Sequence, residues 1–223
     1  MRERMMTVLV GSCIGVLLAG CGGTAPRTEA SSAPVESEAN ERASGADTPM
    51  DAETAARLQE IGQICREVAC RPDTEVTLMV DEDRYFQTTV HGSPYIYDGL
   101  VSVLAGEEIH LEGEVGADGV IANLRYVPEI VNPEKTISIT LFQAAEGRVH
   151  KTMMMKITSG FGGNVRYTAG IMPPGSNDIF RTSTCPLHSG IPSMEMWQDL
   201  IMAVHLTDFH IENADDPNAG SCH

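Results

Sequence analysis

The chain has 223 residues, with 15 Lys+Arg against 31 Asp+Glu and a formal net charge of −16 at pH 7. Its few cations are scattered rather than clustered, which excludes nucleic-acid binding, because neutralising phosphates takes grouped Lys and Arg. An acidic excess of this size keeps a surface soluble and monodisperse.

Arg2 and Arg4 give a basic start, and residues 7–18 follow as an almost unbroken apolar run. A charged start before a short apolar stretch reads as a secretion signal. At about 12 residues the run is too short to span a bilayer as a helix, which takes about 20. Leu18-Ala19-Gly20-Cys21 comes next: a branched residue, two small ones, then cysteine. This motif resembles the lipobox of bacterial lipoproteins, a resemblance confined to the first twenty-odd residues. It implies that the Cys21 thiol is diacylated, that the chain is cut between Gly20 and Cys21, and that the new amino group can take a third acyl chain. Two or three chains anchor stably where one does not, at about 0.8 kcal/mol for each buried CH₂. Cys13 leaves with the signal. Gly22 stands where an aspartate would favour inner-membrane retention. The expectation is therefore an envelope protein anchored to the bilayer through Cys21, on the outer membrane facing the periplasm if the host has two membranes.

From Cys21 to residue 50 the chain is rich in Ala, Ser, Thr, Pro, Gly and Glu, with Val35 almost alone as a large apolar residue. Such a segment buries too little to offset its ordering entropy and is expected to be disordered. As a flexible tether it reaches about 30 Å. The expected organisation is thus signal 1–20, tether 21–50 and one folded domain 51–223, long enough to bury a core.

The domain opens with a helix over residues 51–63, where Ala52, Ala55, Leu58 and Ile61 share a face at helical spacing and Thr48 or Asp51 offers a cap. Strand and turn patterns follow. Residues 75–80 alternate, 85–91 form a second strand, and 95–105 read as a third after the turn at His91-Gly92-Ser93-Pro94. Residues 107–115 alternate, with Ile109, Leu111, Gly113 and Val115 on one side. Asp118-Gly119 marks a hairpin into 120–127. Asn132 to Lys135 turns into 136–143, with Ile137, Ile139 and Leu141 inside. Strands are then predicted at 149–158, 164–172 and 179–184. A short helical or irregular patch near 194–200 precedes a last strand at 202–211. Roughly nine short strands behind one helix point to an all-β antiparallel sandwich, Ig-like or related, or else a barrel.

Cys65, Cys70, Cys185 and Cys222 remain in the mature chain, an even number in an exported protein, and disulfides are the default. Of three pairings, Cys65–Cys70 with Cys185–Cys222 is favoured. The first requires the helix to end near Ile64, because five helical residues separate the Cα atoms too far. The second closes a loop of about 37 residues, worth about 4 kcal/mol in the chain-entropy treatment. A reactive Cys185 near His188 is the alternative.

No nucleophile elbow, phosphate loop, HExxH or EF-hand pattern is present. Gly160 to Gly163 reads as a turn. Soft donors are more suggestive: Met153-Met154-Met155 near His150, and Met194 and Met196 near His188, with His205 and His210 downstream. Thioethers and imidazoles suit Cu(I), which makes copper the one cofactor candidate, with Met194, Met196, His188, His150 and Met154 as ligands. Alternation places His150 and Met154 on one face, Met153 and Met155 on the other, and His205 and His210 on opposite faces. The rival is that methionine fills core gaps. Trp197 is expected to pack at the end of the sandwich, its N–H bonded to a carbonyl. The acidic pairs read as a solvated rim. The leading functional expectation is a non-catalytic, membrane-tethered module that binds an envelope component or partner protein, without enzymatic activity. The alternatives are a copper-binding protein and a hydrolase assembled from distant loops.

Overall fold

The structure, a computed structural model, describes residues 52–213, 215 and 219–222. The signal with Cys21, the tether and the capping candidates Thr48 and Asp51 lie outside the described residues. Helix α1 (Ala52–Ile64) is followed at once by a tight loop, with Cys65 N–H donating to the Ile61 carbonyl at 2.9 Å and Val68 N–H to that of Ile64 at 3.1 Å. Strands β1 (Thr74–Met79) and β2 (Tyr85–Val90) pair antiparallel as a separate hairpin from Thr74↔Val90 to Met79↔Tyr85. Its turn is held by the Asp81 carboxylate, which accepts the N–H groups of Asp83 and Arg84.

The single strand expected at 95–105 is in fact two, β3 (Ile96–Tyr97) and β4 (Leu100–Leu104), paired antiparallel. Between them Asp98 and Gly99 both take positive φ, 48° and 75°. That is the backbone of a two-residue I′ hairpin, for which Asp-Gly is a preferred sequence. The remaining strands are β5 (Glu108–Val115), β6 (Ile121–Val127), β7 (Thr136–Glu146), β8 (Val149–Ser159), β9 (Val165–Met172), β10 (Phe180–Thr182), β11 (Ser193–Trp197) and β12 (Ala203–Ile211). A 3₁₀ turn at Pro133–Lys135 leads into β7. The patch read as helical or irregular is the edge strand β11, whose alternation Ser-Met-Glu-Met-Trp is short enough to pass for either. Among the described residues, twelve strands replace the roughly nine expected.

Apart from the β1–β2 hairpin, the other ten strands form two five-stranded antiparallel sheets, β10-β9-β12-β4-β3 and β11-β8-β7-β5-β6. The fold is an all-β sandwich. Its core is the inner face of both sheets: Ile137, Ile139 and Leu141 of β7, Met153, Met155 and Ile157 of β8, and Val101, Val103, Val204 and Leu206 of β4 and β12 are all fully buried. Val115, expected to continue the inner face of β5, is exposed, because it is the last residue of the strand, where β5 has left its β7 partner behind and pairs with β6 alone.

Two irregularities redirect side chains. On β8, Thr152 opposes Ala144 while His150 opposes Ala145, so Lys151 is an extra residue. On β12, Thr207 opposes Thr168 and His210 opposes Arg166, leaving one extra residue at Asp208, whose φ is 58°. An inserted residue reverses the alternation beyond it. His150 therefore shares a face with Met153 rather than Met154, and His205 and His210 share a face rather than opposing one another. Both expectations counted residues without the bulge.

Candidate functional site

The open side of the sandwich lies between β3, the edge of one sheet, and β6, the edge of the other. A cleft of about 470 Å³ opens there. Ile121 and Phe209, both buried, and Leu124 and Ile96 make an apolar lining. Asp98, Asn123, Thr207 and Asp208 add polar groups. Asp98, Asn123 and Asp208 are the three non-glycine residues with positive φ among the described residues, at 48°, 53° and 58°. Each sits where the strand pattern breaks: Asp98 in the β3–β4 turn, Asn123 at the β5–β6 register shift, Asp208 at the β12 bulge. Asx side chains tolerate this left-handed backbone better than most, and bulges re-aim the side chains around them. The three irregularities thus converge on one cleft. Thr207 Oγ1 donates to Asp208 Oδ2 at 2.8 Å. Beyond Val120, an isolated bridge between Val120 and His210 and the Ile211 N–H to Gly119 carbonyl bond at 2.8 Å tie β6 to β12.

A second pocket of about 340 Å³ shares Ile96, Asp98 and Leu124 with the first and adds Val68, Tyr97, Arg125 and Tyr126. Tyr97 is half exposed. Tyr126 stacks on Tyr95 with ring centroids 3.8 Å apart and planes 9° from parallel, and the Arg71 guanidinium lies 4.7 Å from the Tyr95 ring centre. Burial, and then the Tyr126 hydroxyl, push the Tyr95 phenol up to about 12.

The backing of this pair is rigid. Arg71, almost fully buried, donates to Glu107 Oε1 at 2.8 Å, to Ser93 Oγ at 2.8 Å and to the Ser102 carbonyl at 2.6 Å. Glu107 in turn accepts the Leu104 N–H at 2.7 Å. Backbone bonds from Arg71 to Ser93 and from Tyr95 to Ala69 lay this segment along the residues before β3. The Cys65–Cys70 disulfide closes the loop just ahead of it. Cys185 pairs with Cys222, which replaces the reactive-thiol alternative with a structural bridge.

The metal-ligand candidates divide. Met154 and Met196 are directly opposed across β8 and β11, and Met194 lies two residues along β11 on the same face. His150 is elsewhere, bonded to Gln143 Nε2 at 2.8 Å and to the Gln198 carbonyl at 2.9 Å. His188 bonds Asn164 Oδ1 at 2.8 Å in the loop before β11. His205 has neither ring nitrogen bonded. Burial, and then the charge of Arg71, hold its pKa below the ordinary histidine value. The Trp197 indole N–H donates to Thr182 Oγ1 at 3.0 Å, a hydroxyl rather than the expected carbonyl.

The residues that shape the cleft were missed in the sequence. Asp98-Gly99 carried a hairpin signal that reveals one of them. Nothing local marks Asn123, Asp208, Tyr95 or Tyr126, because their proximity depends on which sheet edges face each other. Compared with known proteins, the chain matches no family model, no curated protein and no solved structure.

Proposed function

We propose that this protein is a lipid-anchored, non-catalytic module of the cell envelope that binds a neutral saccharide unit in the cleft between β3 and β6. The observation that carries the reading is the composition of that cleft. Apolar Ile96, Leu124 and Phe209 line it, Asp98, Asn123, Thr207 and Asp208 supply hydrogen-bonding groups, and the half-exposed Tyr97 lies on the adjoining pocket. A sugar ring offers the complement, with C–H faces for apolar and aromatic contact and hydroxyls at its edge. A few placed polar groups in a largely apolar concavity are the usual basis of specificity. Asp98 and Asp208, on a chain of net charge −16, repel anionic ligands. Anchoring rests on the resemblance of Leu18-Ala19-Gly20-Cys21 to a lipobox. The two disulfides fit an oxidising compartment.

Two measurements test the parts separately. Cys21→Ser should shift the protein from the membrane to the soluble fraction or stall it with its signal uncut. An unmodified Cys21 on a mature, membrane-free native protein would refute the anchor. For the cleft, the full chain in detergent is titrated with neutral di- to tetrasaccharides while backbone amide shifts are followed. Expected are shifts confined to residues 96–99, 120–126 and 207–209, and at least a tenfold weaker Kd for Asp98→Ala and Tyr97→Ala. Binding that both variants leave intact, or no shift with any sugar, rejects the saccharide reading.

A further inference from the structure

Strand β11 is the edge of its sheet, and it presents two methionines outward: Met194 is 41% exposed and Met196 62%. Both lie on the outer face, since the alternating Ser193, Glu195 and Trp197 are the more buried positions of the strand. Met196 faces Met154 of β8 directly, and Met194 faces Lys156. Met154 in turn faces Phe142 of β7. Its neighbours Met153 and Met155 are fully buried in the core and so point the other way.

We propose that Met154, Met194 and Met196 form a Cu(I)-binding site on the outer face of the sandwich, independent of the side cleft. Directly opposed residues have Cβ atoms about 5 Å apart, and a diagonal pair such as Met154 and Met194 about 7–8 Å, within reach of long side chains. Methionine is unbranched and flexible, so three thioethers so spaced converge on one ion without moving the backbone. The donor set chooses the metal. Neutral, soft sulfur favours Cu(I) over Cu(II) and over Zn²⁺. Packing offers no competing account of Met194 and Met196, because neither fills a core gap. His150 and His188 are engaged in hydrogen bonds elsewhere, so the site is all-thioether.

Two consequences separate this site from an imidazole or thiolate one. Thioethers carry no proton at any ordinary pH, so Cu(I) affinity is flat between about pH 5 and 8, where a histidine site would lose affinity on the acid side. Lys156, beside Met194, opposes the cation, so Lys156→Gln tightens binding.

The experiment is an anaerobic competition between the full chain and a chromophoric Cu(I) chelator, with the methionine methyl NMR signals recorded under Ag(I) as a redox-inert probe. Expected are one Cu(I) per chain, Ag(I) shifts on Met154, Met194 and Met196 but not on Met153 or Met155, and at least a tenfold weaker Kd for Met196→Leu and for Met154→Leu. The NMR readout uses the unaltered protein, so it stands even if a variant misfolds. No competition at micromolar Cu(I), affinity that survives the triple leucine variant, or shifts centred on His150 or His188 overturns the proposal.

Discussion

Gly160 follows the last residue of β8, and a methyl group there meets backbone rather than a movable side chain. A Cβ at this position overlaps the Pro133 carbonyl oxygen and lies 2.8 Å from the Pro133 carbonyl carbon and 3.3 Å from the Glu134 Cα. Ordinary heavy-atom contacts are more than about 3 Å, so to clear the carbonyl oxygen the 3₁₀ turn has to retreat by about 1.5 Å. That turn is pinned. Lys135 N–H donates to the Asn132 carbonyl at 3.0 Å, Thr136 Oγ1 to the same carbonyl at 2.7 Å, and Gly160 N–H to the Thr136 carbonyl at 2.9 Å. Asn132 Nδ2 donates to Glu112 Oε1 at 3.1 Å, and Glu112 is paired with Arg125 at 2.7 Å. Overpacking costs about 1–3 kcal/mol, and losing one or two of these bonds adds about 1 kcal/mol each. Gly160→Ala is therefore expected to destabilise by about 4 kcal/mol, lowering Tm by about 12 °C for a domain of this size. Gly162, in the same turn, has nothing within 4 Å of its would-be Cβ. Gly162→Ala should fall within about 0.5 kcal/mol of the parent. The two substitutions narrow the unfolded chain equally, so their difference isolates the clash. Urea unfolding followed by the fluorescence of Trp197, the sole tryptophan, measures both. Unfolding free energies within about 1 kcal/mol of each other at equal m-values would refute the argument.

Arg71→Met should cost about 3–5 kcal/mol in the same urea assay, because it strands the largely buried Glu107 carboxylate without its cation; a loss under about 1 kcal/mol contradicts the role given to Arg71. His205 has a depressed folded pKa, so the unfolded chain binds its proton first, and this stability is complete above the ordinary value of 6.5 and is lost as pH falls below it. His205→Leu removes two unbonded buried nitrogens, and is expected to gain about 1 kcal/mol at pH 7 and to flatten the stability profile between pH 6.5 and 5; an unchanged slope there refutes it. Glu195 is shifted the other way, its carboxyl raised chiefly by burial, against the opposing bonds from the Cys185 N–H and the Tyr167 hydroxyl. A raised carboxyl means the folded chain holds the proton longer, so stability falls as pH rises from the ordinary glutamate value of 4.5 through the folded one. Glu195→Gln keeps an acceptor without the charge and should be more stable than the parent at pH 7 and equal to it at pH 4, read by thermal melts at the two pH values; equal stability at pH 7 sinks the assignment.

The alternation of Ile137, Ile139 and Leu141 located β7 and its inner face, and the turn at Gly160 to Gly163 separated β8 from β9. The helix end at Ile64 followed from the reach of a disulfide across Cys65 and Cys70. Period-2 patterns work because a buried face must be continuous, and that constraint is written residue by residue. The order of strands within a sheet is not written that way. It depends on long-range pairings such as β12 between β9 and β4, which join residues about a hundred positions apart in the case of Val204 and Val103.

Single inserted residues escape pattern reading for a different reason. Lys151 and Asp208 are polar residues in stretches where outward positions are polar anyway, so an added one leaves the local pattern plausible while reversing every face beyond it. This is why the His150–Met154 and His205–His210 assignments failed together. The bulge at Asp208 is also one of three irregularities that meet at the cleft. Asp98, Asn123 and Asp208 each occupy the left-handed region, which is unfavourable for most side chains but mild for Asp and Asn. These three points of irregular backbone line one cavity with Ile121 and Phe209. Regular strands are therefore what the sequence pattern specifies most clearly, and the candidate site occupies the positions where those strands are interrupted, as expected when local rules yield to function.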